Sequence, residues 1–252
     1  MSHHIVEVKD LNFNYPDGQS ALRGVNFRIT HGEAVGIIGA NGAGKSTLLL
    51  HLTGLLFPSS GTVRVGDYPV TRETLPQIRH SVGMIFQDPD DQLFMPTVFD
   101  DVAFGPLNQK LPPDEAQQRV NRALETVGAL HLKERPPYKL SGGEKRAVAI
   151  ATVLAMAPDI LVMDEPSAGL DPLARRRLIH LLSRFEHTKI IATHDLDLVL
   201  DLCQRAIVLN NGKVIADGPT VDIFKNEAIL AQGNLEKPLR MQNCPACNAI
   251  GG

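Results

Sequence analysis

Gly39-Ala40-Asn41-Gly42-Ala43-Gly44-Lys45-Ser46 satisfies the pattern G-x-x-x-x-G-K-[ST] at every fixed position. The glycines let the backbone curl until successive N–H groups point inward at phosphate oxygens. A helix starting at Lys45 adds its positive end to the same place. Lys45 then reaches the β- and γ-phosphates of a bound nucleotide, and the Ser46 hydroxyl is a ligand for Mg²⁺. The loop Gly39 to Ser46 and the adjoining Thr47 are the expected nucleotide contacts. Further along, Ile160-Leu161-Val162-Met163 is followed by Asp164-Glu165, an apolar run ending in two acids. Beside a phosphate loop such a pair divides its work: Asp164 holds Mg²⁺, directly or through water, and Glu165 polarises the water that attacks the γ-phosphate. In Leu140-Ser141-Gly142-Gly143-Glu144-Lys145-Arg146, Ser141 caps a helix, and Gly142 and Gly143 expose backbone N–H groups at its positive end. That is a second anion site, or simply an ordinary capped helix.

These groups need elements to hold them. Val35-Gly36-Ile37-Ile38-Gly39 is a continuous apolar run, as in a strand buried on both faces, and a helix from Lys45 to about Leu55 follows it. The unit is strand–loop–helix, the signature of an α/β fold. Short strands are expected at Ile5–Val8, Val25–Ile29 and Thr62–Val65, separated by turn residues. Between Gln87 and Ile160 strand signal is scarce, while helices are expected at Glu115–Val127 and Glu144–Met156, so this stretch reads as an inserted helical subdomain. Strands resume at Ile160–Met163 and Ile190–Ala192, with a helix from Leu173 to Phe185 between them. Ala206–Leu209 and Val214–Ala216 are strands joined at Asn210-Asn211-Gly212, a hairpin signal. From Gly233 the pattern weakens.

With the motif at Leu140–Arg146 the resemblance becomes specific: it resembles the signature of ABC ATPases, with Glu144 where Gln is commoner. The resemblance covers about residues 5–225 and implies a P-loop NTPase core of α/β class, with an antiparallel β subdomain and a helical subdomain at about residues 88–158. With the weakening of the pattern from Gly233, the expected division is an ATPase domain over residues 1–232 and a tail over 233–252 that holds the Cys244 and Cys247 pair. Tyr15 stands where an aromatic ring stacks on adenine, though a strand-edge tyrosine is equally a packing residue. Gln87 matches a glutamine that contacts Mg²⁺ and water, completing a metal set of Ser46, Gln87 and Asp164. His194 matches a histidine that senses the γ-phosphate, and Ser167-Ala168-Gly169-Leu170-Asp171 a loop linking two sites. Catalysis is then expected from Glu165, His194, Lys45 and Gln87. Ser141, Gly142 and Gly143 would bind the γ-phosphate held by another subunit, which implies a head-to-tail dimer, homomeric or with a related ATPase, enclosing two ATP molecules.

The stretch Asp88-Pro89-Asp90-Asp91-Gln92-Leu93-Phe94, continuing to Pro106, resembles ATPases of energy-coupling-factor importers. Lys145–Leu161 and Thr188–Cys203 resemble the cobalt/nickel branch most. The implied partners are a transmembrane coupling protein and a small substrate-capture membrane protein, with Phe94, Met95 and Phe99 either anchoring the coupling helices or packing inside the helical subdomain. A vitamin importer of the same type, another ABC transporter, and an ABC ATPase acting on nucleic acid or ribosomes are the competing readings.

Composition sets bounds on these. The chain has 252 residues, 43% hydrophobic and 21% charged, which suits a packed globule. A formal net charge of −3 offers no basic footprint for nucleic acid. No apolar run approaches the roughly 18–20 residues that span a bilayer, and the first residues lack a signal-peptide pattern, so the expected location is the cytoplasmic face of a membrane, reached by docking. Of three cysteines, Cys203 reads as a buried structural residue. Cys244 and Cys247 form half of a tetrahedral metal site, completed by a second copy or by His3 and His4, or else a plain reduced tail.

Overall fold

The structure, a computed structural model, describes residues 4–242. His3, Cys244 and Cys247 lie outside the described residues, and with them the tail metal hypothesis. The first layer is a four-stranded antiparallel sheet of order β2-β1-β4-β5, built from β1 (His4–Asn14), β2 (Ser20–Thr30), β4 (Ser60–Val65) and β5 (Tyr68–Pro69). β1 and β2 run well past the expected segments. The part of β1 beyond its expected segment carries Asp10, Asn12 and Asn14, polar residues that mask strand periodicity. The pairing continues through register shifts, held by side-chain bonds such as Asp10 N–H to Asn26 Oδ1 at 2.9 Å.

The second sheet has six strands in the order β10-β9-β3-β8-β7-β6: β3 (Ala34–Ile38), β6 (Val82–Ile85), β7 (Ile160–Asp164), β8 (Thr188–Ala192), β9 (Arg205–Asn210) and β10 (Lys213–Pro219). All its pairings are parallel except the β9–β10 hairpin. Every residue of β3, β7 and β8 is buried, as continuous apolar runs demand. Alternation splits each strand between two cores. Ile160 and Val162 face the antiparallel layer and α1 (Lys45–Leu52), whereas Leu161 and Met163 face α6 (Pro172–Ser183), α7 (Leu196–Leu202) and α8 (Thr220–Lys225). Burying each of these side chains stabilises the fold by roughly 1.5–3 kcal/mol.

No strand lies between Ile85 and Ile160. α2 (Leu75–Ser81) precedes β6; beyond it, α3 (Val98–Asn108), α4 (Pro113–Thr126) and α5 (Gly142–Leu154) close a third core around Val102, Val120, Leu124 and Val148. α5 belongs to two cores at once. Ile150 and Val153 pack on the sheet, while Val148 and Ala151 pack in the helical layer. Movement of the helical layer is therefore movement of α5. Residues 233–242, the described part of the expected tail, are packed. α9 (Glu227–Gln232) leads into a segment in which Leu235 and Met241 pack against the sheet core and Arg240 is held by Asp197 and Asp201. Two scattered apolar residues and one arginine leave no periodic trace, so sequence pattern misses this packing. Among the described residues no helix is long and apolar enough to cross a membrane.

Candidate active site

The phosphate loop bridges β3 and α1, and its glycines answer to space as well as to curvature. Gly39 has φ +155°, and a Cβ there would lie 2.2 Å from the Leu209 carbonyl oxygen. Gly44 has φ +104° and would set a Cβ 2.7 Å from the Ala21 oxygen. The hairpin turn of β9 and β10 braces the loop from outside. Asn211 and Gly212 both have positive φ, as a type I′ turn requires. Gly212 N–H donates to Ala43 O at 3.0 Å, and its own carbonyl accepts from Arg23 N–H at 2.8 Å. The hairpin is legible in the sequence; its contact with the loop is not.

A cleft of about 520 Å³ opens here, lined by Tyr15, Lys45, Ser46, Gln87, Glu165 and His194 among others. Residues far apart in the chain are thus brought to one cleft. Lys45 Nζ is buried and donates to the Gly39 and Ala40 carbonyls at 2.9 and 3.2 Å, 4.0 Å from Glu165 Oε1. Burial pulls its pKa down against the opposing pull of Glu165 and Asp164. An ammonium so placed gains most from an incoming phosphate.

Glu165 has φ +45°, uncommon for a residue with a side chain and of a kind that clusters at functional sites. Its carboxylate accepts from Thr193 Oγ1 at 2.8 Å and from the His194 backbone N–H at 3.1 Å. His194 Nδ1 lies 2.9 Å from Glu165 Oε1. A carboxylate accepts only, so this contact places the proton on Nδ1 and leaves Nε2 free to face the cleft. Thr193, unassigned in the sequence, is therefore a direct support of Glu165. Its sequence signal is slight: one polar residue closing an apolar strand.

Asp164 is buried, and its Oδ1 has no hydrogen-bond partner among the described residues. Burial raises its pKa against the lowering influence of the nearby Ser46 hydroxyl and Lys45. An orphaned carboxylate oxygen beside a hydroxyl is a good fit for a divalent cation. Among the described residues there is no cluster of three or more His, Cys, Asp or Glu. Ser46, Gln87 and Asp164 therefore suit Mg²⁺, which keeps waters and shares phosphate oxygens, better than a metal needing an all-protein cage. A carboxyl whose folded pKa is raised contributes stability below its unfolded pKa and loses it as pH rises through the folded value. Asp164→Asn is accordingly expected to raise the ligand-free melting temperature at pH 7 but not below about pH 4, and to abolish the Mg²⁺-dependent part of ATP affinity. Thermal unfolding at both pH values, with and without MgATP, checks this.

Tyr15 sits at the cleft edge with Oη 2.9 Å from Thr47 Oγ1 and its ring edge-on to Phe13 at 5.0 Å, so it both packs and lines the site. Gln87 is exposed, but its backbone is fixed. Arg146 of α5, buried, donates to the Phe86 and Gln87 carbonyls at 2.7 and 2.5 Å. Gln92 adds a second tie, its Nε2 donating to Ala149 O at 2.8 Å. The helical layer is thus fastened to the Gln87 loop through Arg146 and Gln92, residues that lie in motifs of the sequence but carry no such role there.

Ser141, Gly142 and Gly143 are not brought to the cleft. Ser141 caps α5 in a reciprocal box with Glu144, and both Ser141 and Gly142 are exposed. They adjoin a larger hollow of about 910 Å³ between α4, α5 and α6, whose lining includes neither the phosphate loop nor Asp164 nor Glu165. Phe94 is 63% exposed and meets Phe104 edge-on at 5.1 Å, while Phe99 packs into the helical core under Lys133.

A family model described as ABC transporter matches residues 22–168. The chain is 68% identical over 247 residues to a Geobacter sulfurreducens protein named as an ABC transporter ATP-binding protein, covering 98% of this chain and 99% of that one. It is 47% identical over 239 residues to the energy-coupling factor transporter ATP-binding protein EcfA of Methanothermobacter thermautotrophicus, covering 93% and 77%. Among solved structures, cbiO1 from Clostridium perfringens, described as part of the ABC transporter complex cbiONQ, is similar at a TM-score of 0.81 and 42% identity over 99% of each chain. A phosphate loop, paired acids and a capped helix at Ser141 on this fold, together with these likenesses, lead to one conclusion: the chain belongs to the ABC transporter ATP-binding family and is an ATPase.

Proposed function

We propose that this ATPase drives an energy-coupling-factor importer for cobalt or nickel ions, working as a head-to-tail dimer beneath separate transmembrane subunits at the cytoplasmic face of the membrane. In this reading the loop N–H groups and Lys45 hold the β- and γ-phosphates, Thr47 adjoins them, and Tyr15 stacks on adenine. Bound Mg²⁺, held by Ser46, Gln87 and Asp164, supplies charge neutralisation at the phosphates. Glu165 orients the attacking water, and His194, its Nδ1–H on Glu165, offers its other nitrogen to the γ-phosphate. Ser141, Gly142 and Gly143 lie outside the cleft, so the partner's copies complete each site.

The observation that carries the transport reading is the Arg146 tie. It fixes the Gln87 backbone to α5, a few residues before the exposed Phe94–Phe104 pair. Closure on the γ-phosphate then moves an apolar surface suited to the coupling helices of a membrane protein. The likeness to EcfA and cbiO1 favours the energy-coupling-factor class. The cargo ion touches no residue of this chain in such an arrangement, so the test reads the partners. Capture of the tagged chain from gently solubilised membranes is expected to recover a multi-span coupling protein and a small capture protein that binds Co²⁺ or Ni²⁺. A capture protein that binds a vitamin would reassign the cargo. Recovery of soluble or ribosomal partners alone would overturn the transporter class.

A further inference from the structure

A chain of ionic contacts runs from the C-terminal segment to the residues around Glu165. Arg240 Nη2 donates to Asp201 Oδ1 at 2.7 Å and to the Asp197 carbonyl at 2.8 Å, while its Nε lies 3.1 Å from Asp197 Oδ1. The Leu239 N–H adds a bond to Asp197 Oδ2 at 3.0 Å. One turn deeper, Arg175 of α6 grips Asp195 with two bonds, Nε at 2.9 Å and Nη2 at 3.0 Å. Asp195 also accepts from Ser167 Oγ at 3.1 Å, and so ties the loop after Glu165 to the turn after β8. The Asp195 N–H donates to Thr193 Oγ1 at 3.0 Å, which directs the single Thr193 proton onto Glu165. Arg175 has a second acid within range: its Nη1 is 4.0 Å from Asp201 Oδ2.

Arg175 therefore stands between two carboxylates. Asp195 holds it by a bidentate grip as long as Asp201 is neutralised from the other side by Arg240. We propose that Arg240 is a latch: by satisfying Asp197 and Asp201 it commits Arg175 to Asp195, and so fixes the Ser167 and Thr193–His194 loops around Glu165. Arg240 and Arg175 are positioning residues in this scheme and touch no nucleotide. Without the latch, the unbalanced charge of Asp201 draws Arg175 off Asp195, and Thr193 loses the bond that aims its proton. The C-terminal segment thereby sets how often Glu165 is in register with water. The inference rests on the assignment of Glu165 as the water-orienting group.

The test is steady-state ATP hydrolysis by the purified full-length chain, with thermal unfolding run beside it. Arg240→Ala is expected to lower kcat about fivefold or more, as small misplacements of catalytic groups do, with KM for MgATP changed by less than about twofold. Arg240→Lys should retain most activity. Adding Asp201→Asn to Arg240→Ala removes the competing charge and should restore kcat to within about twofold of the original chain. A residue that merely anchored the C-terminal segment would lower the melting temperature without this charge-specific rescue. An unchanged kcat in Arg240→Ala, or a loss that Asp201→Asn does not repair, overturns the latch. Glu165→Gln in the same assay separates the two ideas. If it turns over normally, the role of Glu165 falls; if it is inactive while Arg240→Ala matches the original chain, only the latch falls.

Discussion

Glu165→Gln is expected to bind MgATP within about threefold of the original affinity while its kcat drops by roughly 10²–10⁴-fold, the range lost with a positioned acid–base group. The substitution is nearly isosteric. Its amide oxygen still accepts from Thr193 Oγ1, which lies 2.8 Å from the carboxylate, so the loop conformation has reason to persist. The charge is what disappears. Glu165 sits 2.9 Å from His194 Nδ1 and 4.0 Å from Lys45 Nζ, with its own side chain and that of Lys45 both buried. There a full negative charge orients and polarises the attacking water far better than an amide dipole. In the proposed reading nucleotide binding draws on the loop N–H groups, Lys45 and the Mg²⁺ ligands, and the change removes a charged neighbour of Lys45, 4.0 Å away, without removing any of these groups. Single-turnover hydrolysis beside equilibrium binding reads both quantities. Loss of binding would mean that Glu165 mainly holds Lys45 in place; unaltered turnover would remove it from the chemistry.

What sequence makes legible here is whatever is local. The phosphate loop is eight consecutive residues, and its chemistry depends on their order. The acid pair ends an apolar run, and the Asn211-Gly212 turn declares its hairpin by residue type. Contacts that cross the chain leave no such mark. Arg146 clamps Gln87 across a separation of 59 residues, and the lone sequence hint is an arginine closing a recognisable motif. Arg175 meets Asp195 across 20 residues, and Arg240 meets Asp197 across 43. Each is an ordinary charged residue until the fold pairs it. The aromatic surface shows the same limit. Phe94, Phe99 and Phe104 are alike as residues, and only the folded chain turns Phe99 of α3 inward while leaving Phe104 of α3 and Phe94 before it exposed.

Gly143→Ala offers a sharper test of the paired arrangement, because folding and catalysis are expected to move in opposite directions. A Cβ on Gly143 would meet nothing nearer than the Ala174 Cβ at 3.8 Å, an ordinary contact, and one on Gly142 would meet nothing within 4 Å. Both residues lie in the first turn of α5, where exchanging glycine for alanine removes backbone freedom from the unfolded chain. Stability should rise by up to about 1 kcal/mol, a shift of roughly 2–4 °C in a domain of this size. Gly143 does not line its own chain's cleft, so ATP affinity of the lone chain should stay the same. Yet kcat should fall at least about tenfold, since the new methyl group fills the approach by which a phosphate on the partner reaches the helix N-terminus. Mixing decides whether that approach comes from another chain. Lys45→Ala lacks a working phosphate loop but keeps an intact Ser141–Gly143 turn, and Gly143→Ala has the reverse defect. In a mixed pair one composite site joins two intact halves, so two preparations that are each nearly inactive should regain turnover when combined. Were Gly143 instead to act on the nucleotide of its own chain, the mixture would remain as inactive as its parts.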